Sequence, residues 1–220
     1  MLAGGLAADN VRAAIETAAR YGARYVGFVF YPRSPRSLSV ERAAELAAVV
    51  PPGIGKVGVT VDPEDAFLDA LLARVPLDVI QLHGREDPAR VAAVRERTGC
   101  RVMKALRLAE AADLAPVRAY AEAADLLLFD AKPPPAAARP GLLPGGNGLS
   151  FDWRLLRGLD PGRPWLLSGG LSAGNLAEAV GASGAAAVDV SSGVESRPGV
   201  KDPDRLAAFL SAAAALDSRT

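Results

Sequence analysis

The sequence predicts an α/β protein, a single (β/α)8 barrel, and three observations carry that prediction. Short β-rich runs recur along the chain, most of them starting about 22–24 residues after the previous one. That leaves room for one helix and two short loops, the pattern of parallel βαβ units. Several intervening segments open on an aspartate–proline pair, where the carboxylate caps free N–H groups and proline's fixed φ suits the first helical position. In the last third, Leu166-Leu167-Ser168-Gly169-Gly170 and Ala187-Val188-Asp189-Val190-Ser191-Ser192-Gly193 each end an apolar run in a small-residue loop. Two such loops at this spacing match strands 7 and 8 of a barrel, where phosphate sites form from loop N–H groups and a helix N-terminus.

The elements follow in order. A stub at 1–3 stands for a shortened first strand, and Gly22 marks the end of the first helix. Strands are predicted at 25–30, 56–61, 78–82, 101–106, 125–130, 164–168 and 186–190. Pro51 ends the second helix, and Asp62-Pro63, Asp87-Pro88 and Asp202-Pro203 begin later ones. Eight strands, seven clear and one marginal, favour a closed barrel over an open sheet. Residues 1–220 are expected to form one domain, short for this architecture but within its range.

Composition narrows the class of protein. Half the residues are hydrophobic, only 5% are aromatic, and the formal net charge is +0. The apolar mass is Ala, Leu and Val, which suits helices packed on strands. A neutral chain lacks the basic footprint of a nucleic-acid or anionic-membrane binder. No apolar run approaches the ~18–20 residues of a membrane span, and no basic-then-apolar leader opens the sequence. A soluble cytoplasmic protein, monomer or homodimer, is therefore expected. Cys100 is the lone cysteine, so an internal disulfide is excluded; with a single histidine besides, a zinc site or a Cys–His nucleophile pair is not expected. Placed just before strand 5, at the end away from the mouth, Cys100 reads as inert.

Two connections break the beat, and both follow the C-terminal end of a strand, where barrel enzymes place their chemistry. One is Tyr31-Pro32-Arg33-Ser34-Pro35-Arg36-Ser37. The other begins Ala131-Lys132-Pro133-Pro134-Pro135 and runs, rich in Gly, Pro and Ala, to Gly148. Residues 133–148 are expected to be a flexible loop, either a disordered insertion or a lid. Asp130 ends an apolar strand at the mouth. It fits a general acid whose pKa is raised by burial, and equally a structural cap for the following loop. Arg36, in a Pro-stiffened loop, fits bidentate carboxylate recognition or a solvated surface arginine. Asp189 reads as a barrel-interior or loop-orienting residue, Lys104 as one end of an inward salt bridge. His83, after Gln81-Leu82, fits an acid–base or a structural hydrogen-bonding role.

At these residues the chain resembles the phosphoribosylanthranilate isomerase family. The resemblance rests on Gly27-Phe28-Val29-Phe30-Tyr31-Pro32-x-Ser34-x-Arg36, on Gln81-Leu82-His83-Gly84, and on Asp130-Ala131-Lys132 with Gly145-Gly146-x-Gly148-x-x-Phe151-Asp152-Trp153. Leu167-Ser168-Gly169-Gly170 and Asp189-Val190-Ser191-Ser192-Gly193-Val194-Glu195 complete it, in the right order. It implies a TIM barrel and an Amadori rearrangement, an aldose-to-ketose isomerisation of a phosphorylated aryl-aminosugar in tryptophan biosynthesis. Asp130 would protonate the furanose ring oxygen, and Arg36 would hold the anthranilate carboxylate. Gly169, Gly170, Ser191, Ser192 and Gly193 would bind phosphate. Neither metal nor organic cofactor is implied.

The first strand departs from the family pattern. There the family carries Lys-(Ile/Val)-Cys-Gly-(Leu/Ile)-Thr, with the cysteine as general base. This chain has Leu2-Ala3-Gly4-Gly5-Leu6-Ala7, so Gly4 stands at the cysteine position and has no side chain to take a proton. The segment from Leu2 to Val11 also echoes that from Leu167 to Leu176. A divergent or mis-started N-terminus accounts for this, as does an anion-binding turn in place of the catalytic loop. The corresponding expectations are an isomerase impaired by Gly4, or a non-catalytic phosphate-sugar-binding barrel.

Overall fold

The computed structural model describes residues 2–3, 11–132 and 145–217. β1 (Leu2–Ala3), β2 (Tyr25–Phe30), β3 (Gly55–Thr60), β4 (Val79–Leu82), β5 (Arg101–Leu108), β6 (Leu126–Ala131), β7 (Trp165–Leu167) and β8 (Asp189–Val190) form one sheet. Its order is β7-β6-β5-β4-β3-β2-β1-β8, and every neighbouring pair is parallel. At the ends of that order Leu167 bridges Val188 in parallel, its N–H donating to the Ala187 carbonyl at 2.9 Å. The helices are α1 (Val11–Arg20), α2 (Val40–Ala47), α3 (Asp65–Leu72), α4 (Pro88–Thr98), α5 (Val117–Ala123), α6 (Leu176–Ser183) and α7 (Pro203–Asp217). The fold is α/β and TIM-barrel-like.

Strand alternation splits the core into two layers. Val57, Val79, Met103, Ala105, Leu126, Leu128 and Leu166 meet inside the curled sheet. The opposite parity, including Phe28, Ile80, Val102, Leu106, Leu127 and Phe129, packs with the helices. Each buried Leu, Ile or Phe contributes about 1.5–3 kcal/mol by leaving water. Lys104 shares the parity of Val102 and Leu106, so it lies on the helix side. Its Nζ donates to Glu86 at 2.7 Å and to the Gly84 carbonyl at 3.0 Å, and it sits 5.8 Å over the Tyr120 ring. The expected ion pair exists, but on the helix side of the sheet rather than on its inner face. Burial draws the lysine's pKa down, with Glu86 opposing.

The caps follow the sequence in most places. Asp87 Oδ1 accepts from the Arg90 N–H at 2.7 Å at the head of α4, and Asp202 Oδ1 accepts from Asp204 and Arg205 at the head of α7. Gly22, at φ 76, ends α1, with the Ala23 N–H reaching the Ala18 carbonyl. Asp62-Pro63 is different. Helix α3 starts later with Glu64 as its N-cap, while Asp62 adopts φ 46 and accepts from the Arg85 N–H at 2.6 Å. The carboxylate ties two mouth loops together instead of capping a helix, in a left-handed conformation that aspartate tolerates.

Two connections also differ from a strict alternation. Between β6 and β7 the described residues hold only a 3₁₀ turn, Trp153–Leu156. After β8 comes a 3₁₀ turn, Ser192–Val194, and an antiparallel hairpin, β9 (Glu195–Arg197) with β10 (Val200–Lys201), before α7. Of the predicted loop at 133–148, residues 133–144 lie outside the described residues, as does Gly4. None of the described helices is long and apolar enough to cross a membrane.

Candidate functional site

The alternation that fills the sheet interior with Val and Leu changes chemistry at the C-terminal ends. Continuing inward parity brings up Gln81 on β4 and His83 just after it, Asp130 on β6, Ser168 after β7 and Asp189 on β8. Asp130 Oδ2 lies 3.2 Å from His83 Nε2, and Oδ1 accepts from the Ala131 N–H at 2.8 Å. His83 Nδ1 meets Gln81 Nε2 at 2.9 Å, and the His83 carbonyl accepts from Arg107 at 2.6 Å. Both His83 and Asp130 are therefore held before any ligand arrives. The Ser168 hydroxyl donates to Asp189 Oδ2 at 2.8 Å. Burial pushes the Asp189 carboxyl up to about 6, against the Ser168 hydrogen bond and the charges of His83 and Lys201, with Asp130 adding to the rise.

Arg36 stands where the loop after β2 folds back. Ser34 donates to Tyr31, Ser37 to Ser34, and Leu38 returns to the Val29 carbonyl at 2.9 Å. These backbone hydrogen bonds hold the course of the loop, but the guanidinium itself is fixed by another group. Nε and Nη2 donate to the two oxygens of Glu195 at 2.8 and 2.7 Å, and Nη2 also donates to the Gly146 carbonyl at 3.2 Å. One edge of the fork is thus spent inside the protein. Glu195 also accepts from Lys201 Nζ at 2.9 Å, which in turn donates to the Ser191 carbonyl at 2.7 Å. Burial pushes the Glu195 carboxyl up, yet the Arg36 hydrogen bonds and the Lys201 charge outweigh it and hold it low. Burial brings Lys201 down to about 8, with Glu195 opposing.

The two small-residue loops lie beside this ionic cluster. Gly169 and Gly170 take φ 88 and 63, the left-handed region that glycine enters at no steric cost. A Cβ on Gly169 would come 2.8 Å from the Ala131 nitrogen, and one on Gly170 2.8 Å from the Leu149 carbonyl oxygen. Asn175 braces the turn, accepting from the Ser172 N–H at 2.8 Å and donating to the Gly170 carbonyl at 2.9 Å. Gly193 is pressed on the first loop so closely that a Cβ would overlap the Leu171 carbonyl oxygen. Gly193→Ala should therefore part the two loops. Calorimetric titration with inorganic phosphate or a sugar phosphate should show weakened binding; unchanged affinity would mean that the loops bind no phosphate.

One pocket gathers these residues, with about 880 Å³ of atom-free space including its open mouth. Arg36, Asp130, Gly169, Gly170, Ser191, Ser192 and Gly193 all line it, together with His83, Ser168 and Asp189. Gly145 and Gly146 line it too. A Cβ on Gly145 would come 2.7 Å from both Asp130 Oδ2 and His83 Nε2, and one on Gly146 2.7 Å from Arg36 Nη1. Sequence reasoning missed the part played by Glu195 and Lys201. Glu195 stands 159 positions from Arg36, and nothing local signals the pairing.

Comparison with known proteins follows the same outline. The family model for N-(5'phosphoribosyl)anthranilate (PRA) isomerase matches residues 13–212. N-(5'-phosphoribosyl)anthranilate isomerase of Rhodospirillum centenum is 62% identical over 203 residues, covering 92% of this chain and 94% of that protein. The phosphoribosyl anthranilate isomerase of Thermotoga maritima is similar in structure, with a TM-score of 0.84, 33% identity and coverage of 97% and 98% of the two chains. A phosphoribosyl anthranilate isomerase in complex with reduced 1-(o-carboxyphenylamino)-1-deoxyribulose 5-phosphate gives a TM-score of 0.81 at 32% identity, covering 97% of each chain.

Proposed function

The chain belongs to the N-(5'-phosphoribosyl)anthranilate isomerase family, and from that premise we propose how its pocket carries out the family's reaction. The activity is the Amadori rearrangement of N-(5'-phosphoribosyl)anthranilate to 1-(2-carboxyphenylamino)-1-deoxyribulose 5-phosphate in tryptophan biosynthesis. The observation that carries the reading is the convergence of Asp130, Arg36 and the two glycine-bearing loops on one pocket. The loops take the phosphate. Arg36, with one edge fixed by Glu195, presents its remaining amino group to the anthranilate carboxylate. Asp130, at the mouth beside His83, gives a proton to the furanose ring oxygen as the C1–O bond breaks.

Ring opening leaves a protonated imine at C1, and loss of the C2 proton converts it to an enolamine. The enolamine becomes the ketone by gaining a proton at C1 and losing one from the C2 hydroxyl. Each step, ring opening included, turns on a proton given or taken at a defined atom, so positioned acids and bases suffice. We further take the sheet to close as a complete (β/α)8 barrel within one domain, a reading supported by the Leu167–Val188 bridge.

The test is turnover of phosphoribosylanthranilate by the purified protein, with calorimetric titration of the reduced product. Binding together with turnover supports the reading, and absence of both overturns it. A second reading, a binding barrel without turnover, is favoured by Gly4 alone. It predicts tight binding of the reduced product, no turnover, and a gain of activity in Gly4→Cys.

A further inference from the structure

The reaction needs a group that accepts the C2 proton, and the pocket wall offers few. Among its described lining residues, the side chains that titrate are Tyr31, Arg36, His83, Asp130 and Asp189. Arg36 is a fixed cation held by Glu195. Asp130 is the acid, and His83 is fastened between it and Gln81. Asp189 is different. It is 6% exposed, Ser168 occupies only its Oδ2, and Oδ1 is buried with no hydrogen-bond partner. The Gln81 side-chain oxygen in the same wall is also unpartnered, but among the described lining residues only Asp189 leaves a buried carboxylate oxygen bare. Such a group is costly, and such groups mark places where chemistry is done.

Position supports the same assignment. Asp189 is hydrogen-bonded in the ladder to strand β1, opposite Leu2, and lies two residues before the Ser191–Gly193 loop. It therefore sits between the phosphate cradle and the strand whose next residue, Gly4, has no side chain. We propose that Asp189 is the catalytic base of this chain, its Oδ1 accepting the C2 proton. The step rests on the isomerase reading. The C2–H bond breaks, the proton goes to Oδ1, and the electron pair forms the C1–C2 double bond while the imine nitrogen takes back its pair. A carboxyl raised to about 6 is mostly ionised at neutral pH, yet basic enough to abstract the proton. Ser168 holds the other oxygen and so fixes the direction of attack. Asp130, His83 and Lys201 are the other charged or titratable groups that bear on it.

The experiment compares the parent with Asp189→Asn, using C2-protiated and C2-deuterated substrate and titration of the reduced product. Asp189→Asn is expected to lower kcat by about 10²–10⁴-fold, the usual cost of losing a general base, and to keep binding the reduced product. Gly4→Cys placed in that background should restore turnover by supplying a thiol at the sequence position where the family carries its general base. Should Asp189→Asn fail to fold, the parent decides through its pH profile. Its kcat should fall below about pH 6 with a primary isotope effect at C2, because protonated Asp189 cannot accept. Equal turnover in Asp189→Asn, or a parent profile flat down to about pH 5, overturns the assignment while leaving the isomerase intact. A parent that neither turns over nor binds the reduced product overturns the isomerase reading, and this assignment with it.

Discussion

Asp130→Asn is expected to reduce kcat by about 10²–10⁴-fold, the range for a single general acid, with little change in affinity for the reduced product. The substitution is nearly isosteric. Its amide oxygen can still accept from the Ala131 N–H, which Oδ1 now does at 2.8 Å, so the loop after β6 should keep its course. On the proposed acid role, what would disappear is the proton destined for the ring oxygen. Steady-state turnover beside calorimetric titration separates the two effects. An Asn variant retaining more than about a tenth of parental turnover would remove Asp130 from the acid role, since that loss lies below the catalytic range.

A comparably large effect, on stability, is expected at Glu195. Its carboxylate is the shared anion of two buried cations, with Arg36 at 2.7 Å and Lys201 at 2.9 Å. All three side chains are at most 6% exposed. Glu195→Ala leaves two positive charges facing each other without water, and breaking a buried pair in this way costs about 3–5 kcal/mol. Urea unfolding should show the loss as a lowered midpoint at unchanged slope. Glu195→Gln should be milder, because an amide oxygen still accepts from Arg36. A Glu195→Ala variant unfolding at the parental midpoint would show that solvent or another anion replaces the carboxylate.

The sequence makes the repeating architecture legible because each strand–helix unit is a local matter. Short apolar, β-rich runs buried on both faces mark the strands, and Asp87 and Asp202 cap helices within three residues of themselves. Asp130, Arg36 and the two glycine loops were legible for a related reason: each ends a strand or fills the connection after one, on the face where all strands point. Long-range pairings were not. The partner of Arg36 lies on a hairpin that no periodicity announces, and which face of β5 carries Lys104 depends on a register that only the sheet reveals. Asp62 misled because Asp-Pro is a good helix start in isolation, whereas here the Arg85 N–H competes for the carboxylate.

The Arg36–Glu195–Lys201 chain ends on the Ser191 carbonyl, which belongs to the loop that would hold phosphate. Three ionic side chains thus form a strut between the two places where a ligand would be gripped. If the pocket grips a carboxylate and a phosphate as proposed, the gap between the two receptors is set by this strut rather than by the ligand, and the pocket would work as a caliper. An analogue one carbon shorter or longer between its two anionic ends could satisfy either jaw but not both, and discrimination would come from length before any bond is made or broken.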